Sequence, residues 1–190
     1  MLIIAAIWLA AALAIGRLGW LQFATPPLPQ LLIAALTLMV LGLFWLPTPF
    51  GAWVIAVDMR VLILIHATRI IPGVAFLILY ARGQLPWAFA VPGGWGDILV
   101  GVTALAVAAI PRPYKGWRRR AILWWNAFGL ADILLVVSTA TRIAMSEPES
   151  LRPLLQLPLS LLPTFVVPIV IATHVALFAR FRGPRADHRL

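Results

Sequence analysis

AILWWNAFGLADILLVVSTAT, residues 121–141, follows Trp117-Arg118-Arg119-Arg120 and carries a single charged side chain, Asp132. At 1.5 Å per residue such a run is about 30 Å long, the thickness of a bilayer's hydrocarbon core. An apolar run of that length reads as a transmembrane helix, and the basic flank marks the end that stays in the cytoplasm. Five more runs extend this pattern outward, so the chain divides into spans over residues 2–21, 30–46, 61–81, 96–110, 121–141 and 159–179. The joints between them are short and rich in Pro, Gly or Arg. Composition agrees: 63% of residues are hydrophobic, 11% are charged and the mean hydropathy is +0.99. Soluble domains hold roughly 45–50% and 25%.

The expected fold is therefore all-α, a polytopic bundle of six helices over residues 1–180 with a basic tail at 181–190. That leaves no room for a separate soluble module. There is no cysteine, which excludes disulfides, thiolate metal sites, iron–sulfur ligation and a cysteine nucleophile. The net charge of +9 belongs to loops that set orientation, and nucleic acid is not an expected partner. No Lys or Arg precedes the first run, which continues to Leu21, so it reads as a retained helix rather than a cleaved signal.

Arg112, Lys115 and Arg118 to Arg120 lie between spans 4 and 5, and Arg180, Arg182, Arg185 and Arg189 follow span 6. Six crossings put both groups on one side, which predicts a multi-pass protein of the bacterial inner membrane with both termini cytoplasmic. Trp20, Trp45, Trp53, Trp87, Trp95 and Trp117 fall near expected helix ends and suggest an interfacial belt. Span 3 is the hardest to place, because residues 50–81 are too long for one upright helix and contain Pro72-Gly73. The preferred division makes 50–57 an interfacial element and kinks the crossing at Pro72; the rival crosses at 51–71. Span 4 is expected to open after Pro92-Gly93-Gly94.

An ionisable side chain within the hydrocarbon layer costs about 2.5–3.5 kcal/mol and calls for a partner or a purpose. Asp97, expected in the first turn of span 4, suits either a helix N-terminus or a ligand at the outer mouth. Asp132 lies about 17 Å in from the cytoplasmic end of span 5, and Arg69 about 12 Å into span 3 from the same side. The long arginine side chain closes that gap, which predicts a buried Arg69–Asp132 pair with Asn126 as a polar neighbour. Such a pair is either a substrate or proton site or a structural clasp. His66 and His174 both lie about 7.5 Å deep and are candidates to ligate a metal or the iron of haem b from its two sides, with Arg60 or Arg69 meeting the propionates. Ser160, Thr164 and His174 share one face of span 6, where Pro163 and Pro168 free backbone carbonyls. The echo between Gly94-Trp95-Gly96-Asp97-Ile98-Leu99 and Gly129-Leu130-Ala131-Asp132-Ile133-Leu134 is short, and antiparallel helices should place its two aspartates at different depths.

No hydrolase elbow, zinc-protease pair, Walker loop or dinucleotide fingerprint is present. Leu85-Pro-Trp-Ala-Phe-Ala-Val-Pro-Gly-Gly-Trp-Gly-Asp97 resembles an uncharacterised family of small, Pro- and Trp-rich polytopic inner-membrane proteins of bacteria. The resemblance extends loosely over spans 3 to 6 and implies no activity. The leading functional expectation is binding or transport of a small molecule or ion at a polar site between helices 3, 5 and 6 that uses His66, Arg69, Asp132 and His174, with Asp97 and Asn126 as further ligand-binding candidates. The alternatives are a bis-His haem protein, an intramembrane enzyme acting on a lipid or isoprenoid through Asp97 or Asp132, and a subunit of a homo-oligomer or larger membrane complex.

Overall fold

Proline and glycine decide where this chain's helices begin, bend and stop. The computed structural model describes residues 2–182; Arg185 and Arg189 of the expected tail lie outside them. The described residues form α1 (Leu2–Arg17), α2 (Leu28–Trp45), α3 (Pro49–Ala56), α4 (Met59–Leu64), α5 (Ile70–Ala81), α6 (Trp87–Ala108), α7 (Trp117–Ser146) and α8 (Val167–Arg182). Leu28–Trp45, Met59–Ala81, Trp87–Ala108, Trp117–Ser146 and Leu162–Phe181 are each long and apolar enough to cross a membrane. They correspond to spans 2 to 6. Span 1 is shorter than expected, because Gly19 takes a left-handed conformation (φ 69°) and helps close the chain into a turn soon after Arg17.

The helix boundaries of span 3 follow the preferred division, with a short α3 set apart from the path that begins at Met59. Pro49 opens α3 behind Thr48, whose hydroxyl accepts the Gly51 amide at 3.1 Å. Asp58 then caps α4 by accepting the Arg60 amide at 2.9 Å. From Met59 the helical path runs to Ala81, tightening to a 3₁₀ stretch at Ile65–Arg69 between α4 and α5. Pro72 accounts for that tightening: it has no amide for the Thr68 carbonyl, and its ring crowds that carbonyl.

Span 4 departs from expectation. Pro92 lies inside α6, which begins at Trp87, nine residues earlier than the 96 expected from sequence. The Gly93-Gly94 pair does not stop the helix because neighbours pack on both glycines: a Cβ on Gly93 would stand 3.3 Å from Val136 of α7, and one on Gly73 of α5 would stand 2.7 Å from the Gly94 carbonyl oxygen. Asp97 is consequently in mid-helix rather than at a helix start. Before α8, Leu162–Val166 widens into a π turn beside Pro163. Pro168 cannot donate to the Thr164 carbonyl, and Trp8 of α1 does so instead, Nε1 to O at 2.9 Å.

The core is layered along the bundle. At one end Met59, Leu62, Ala104, Ile122, Leu177 and Phe181 form an apolar cluster, and at the other Phe76, Phe89, Ala144, Leu151 and Leu159 form a second. The first end is the basic one: Arg119 donates to the Phe181 carbonyl at 2.9 Å, Arg180 to the Val57 carbonyl at 2.6 Å, and Arg112 pairs with Asp58 at 2.6 Å. Trp20, Trp45, Trp87, Trp95 and Trp117 are all exposed. Trp95, however, lies within α6 rather than at a helix end.

Candidate functional site

Between the two apolar layers lies a buried polar one, built from α6, α7, α8 and the 3₁₀ stretch. A 3₁₀ helix has three residues per turn, so side chains three apart project along one line. His66 and Arg69 therefore both point into the bundle, and Arg69 is only 1% exposed. Its Nε donates to Asp97 Oδ1 at 2.6 Å and its Nη1 to the Gly129 carbonyl at 3.1 Å. Nη2 lies 2.6 Å from the same Asp97 oxygen and donates to Asp132 Oδ2. One guanidinium thus joins two carboxylates and a backbone carbonyl from α6 and α7. Gly96 makes room for this on α6, since a Cβ there would occupy the place of the Asp132 carboxylate.

The two aspartates of the sequence echo meet at one level, contrary to the expectation of different depths. α6 starts earlier than its apolar run suggested, and α7, at 30 residues, is longer than the bilayer needs, so both carboxylates fall mid-bundle. Arg69, Asp97, Asn126 and Asp132 of the expected site all lie in the polar layer. Sequence reasoning paired Arg69 with Asp132 but left Asp97 at a helix mouth.

His66 and His174 are also in this layer, both fully buried. Their rings stack with centroids 4.0 Å apart and planes inclined by 30°, and Trp125 packs edge-on against His66. A hydrogen bond fixes the side of the His174 ring that donates. Asn126 Nδ2 donates to the His174 carbonyl at 2.9 Å, which turns Asn126 Oδ1 toward His174 Nδ1 at 2.8 Å; Nδ1 must therefore carry the hydrogen. The Thr173 hydroxyl lies 3.0 and 2.9 Å from the Ile169 and Val170 carbonyls and 3.3 Å from His66 Nε2, with which it shares a hydrogen bond. His174 Nε2 and His66 Nδ1 have no partner among the described residues.

Haem b between these histidines does not fit this geometry. Imidazole lone pairs lie in the ring plane, so two rings stacked face to face cannot aim them at one atom between them, and 4.0 Å leaves no space for a porphyrin. Nor do the described residues bring three or more His, Asp or Glu together to hold a metal ion.

A cavity of about 260 Å³ reaches the layer from the end opposite the basic one. Its walls are apolar, formed by Ile33, Phe76, Val136 and Val166 among others, while Arg69 and Asp97 border its inner end. Gln22, Glu149 and Arg152 stand at its mouth. Gln30 also lines it, with its buried Oε1 unpartnered among the described residues.

At the basic end, Asp58 is held below its ordinary carboxylate value of 3.8, first by the Arg60 amide, whose effect outweighs the desolvation that opposes it, and then by the Arg112 guanidinium. Both partners there are more than 40% exposed, so the pair trims a loop and contributes little energy.

The class defined by this fold and layer is a polytopic helical membrane protein with a charged cluster buried in its core. Within that class, the chain belongs to the family of the domain of unknown function DUF8737, whose model matches residues 26–182 and so covers every residue of the cluster. No curated protein and no solved structure matches it.

Proposed function

We propose that the protein binds a small, largely apolar molecule with one polar end, taken into the cavity with that end against Arg69 and Asp97. The observation that carries this reading is the pairing of an apolar shaft with a charged floor. A dry cavity of about 150 Å³ accepts benzene, so a cavity of this size suits a ligand body of about one to two rings or a short acyl segment. Arg69 has five N–H hydrogens, and its contacts with Asp97, Asp132 and Gly129 leave one Nη1 hydrogen for a ligand oxygen. Gln30 Oε1 offers an acceptor on the cavity wall.

Transport, rather than binding alone, is favoured by the two helix irregularities that border this space. The 3₁₀ stretch at Ile65–Arg69 carries Arg69, and the π turn at Leu162–Val166 forms part of the cavity wall. Transporters place interrupted helices at such sites. With the basic end cytoplasmic, the mouth opens on the periplasmic side of a bacterial inner membrane.

The test uses prodan, a dimethylaminonaphthyl ketone whose emission reports its surroundings. Purified protein in detergent should give a saturable blue-shifted component above the micelle background. Ala140→Trp and Ile33→Trp, which fill the cavity, should abolish it, whereas Leu135→Trp, on an exposed face, should not. A signal that survives both filling variants would refute the reading.

A further inference from the structure

The buried cluster is one positive charge short. Arg69 faces the carboxylates of Asp97 and Asp132, and the remaining titratable groups of the layer are His66 from the 3₁₀ stretch and His174 from α8. One nitrogen of each ring already faces a neutral partner, His174 Nδ1 the Asn126 amide oxygen and His66 Nε2 the Thr173 hydroxyl, and the other nitrogen has no partner among the described residues. No other cation reaches the two carboxylates among the described residues: Arg152 pairs with Glu149 at the mouth, and Arg112 with Asp58 at the basic end. An uncompensated charge in a low-dielectric interior is far more costly than a paired one.

We propose that the Arg69–Asp97–Asp132 cluster binds one exchangeable proton, with His174 and His66 as the next acceptors toward the basic end. A second observation points to the same ligand. His174 Nε2 is fully buried, without a partner among the described residues, and packed beside Gly129: a Cβ placed there would stand 3.0 Å from it, and the Gly129 carbonyl is the one that holds Arg69. His66 stacks on His174 on the far side of that contact. Among the described residues, no three His, Cys, Asp or Glu side chains come together to hold a metal cation instead.

Protonation neutralises the cluster without displacing Arg69: one carboxylate becomes a carboxylic acid, its hydroxyl hydrogen facing the other carboxylate or a cavity ligand. The proton site stands whether or not the cavity binds the probe described above. Its two exits differ, one through the cavity and one through the histidine pair.

Infrared spectroscopy reads this directly. In unliganded protein at neutral pH a carboxylic acid C=O band is expected, shifting on ¹³C-aspartate labelling and on exchange into D₂O. Because the charge balance sets the proton count, Asp97→Asn and Asp132→Asn should each abolish the band, whichever carboxyl carries it. Arg69→Gln should enlarge it to two acids. His174→Gln should preserve the band and slow its exchange into D₂O. An absent band in the wild-type protein, or one that persists in either aspartate variant, would overturn the proposal. An unchanged exchange rate in His174→Gln would remove the histidine exit.

Discussion

Arg69→Met tests the energetic centre of the bundle. The change keeps an unbranched apolar stem of similar reach and deletes the cation, leaving Asp97 at 3% exposure and Asp132 with an 11% exposed side chain facing each other. Each charged hydrogen bond in isolation is worth about 1.5–3 kcal/mol. Summing the contacts of Arg69 would overstate the loss, because water and protons that reach the stranded carboxylates return part of it. Breaking a buried pair by removing one member costs about 3–5 kcal/mol, a large share of a total of about 5–15 kcal/mol. Arg69→Met should therefore lose about 3–5 kcal/mol in reversible SDS unfolding from mixed micelles, followed by circular dichroism. The triple variant Arg69→Met, Asp97→Asn, Asp132→Asn should recover much of that loss, since no charge remains to strand. A single variant within about 1 kcal/mol of the parent, or a triple no more stable than the single, would refute the claim that charge pairing holds this layer together.

Gly129→Ala should destabilise by about 1–3 kcal/mol in the same assay. Its Cβ would meet His174 Cε1 at 2.6 Å, and that ring is pinned by Asn126 on one side and His66 on the other. Asp58→Asn should lower the unfolding midpoint at neutral pH only. The carboxyl is held below 3.8 in the folded protein, so its contribution is present above that value and vanishes as pH falls through the folded one, where variant and parent should converge. A reporter fused after Leu190 should be cytoplasmic and one inserted near Glu149 periplasmic; the reverse at both sites would invert the assigned orientation.

What the sequence made legible followed from distance arithmetic along helices. A rise of 1.5 Å per residue brought Arg69 close enough to the depth of Asp132 for its long side chain to reach, and those residues are joined. The same arithmetic brought His66 and His174 together, yet said nothing about ring planes, which depend on side-chain rotamers and on Asn126 and Thr173. Asp97 was misplaced because Pro92-Gly93-Gly94 has the composition of a helix stop. Only the packing of Gly73 against Gly94 turns that tripeptide into a helix interior, and packing between helices is not a local property. The cavity was not legible at all, since its lining is drawn from five separate parts of the chain.

Both helix irregularities belong to the mechanics of the site rather than to its periphery. An unbroken α-helix through residues 59–81 would leave His66 and Arg69 on one face but diverging by about 60°. The 3₁₀ stretch before Pro72 removes that divergence, so a single proline aligns the arginine with two aspartates and the histidine with its stacked partner. In the opposite strand of the bundle, the π turn at Leu162–Val166 widens the backbone where Leu162, Pro163 and Val166 wall the cavity. The carbonyl that Pro168 leaves free is taken by Trp8, which ties α1 to the widened turn. If the turn is a moving part, replacing Pro168 by Ala should let Thr164 be satisfied within its own helix, and Trp8→Phe should then cost less than the about 1 kcal/mol expected in the parent. Such non-additivity, measured as a double-mutant cycle, is the signature of two residues serving one carbonyl; strict additivity would mean that the Trp8 contact is incidental to the π turn.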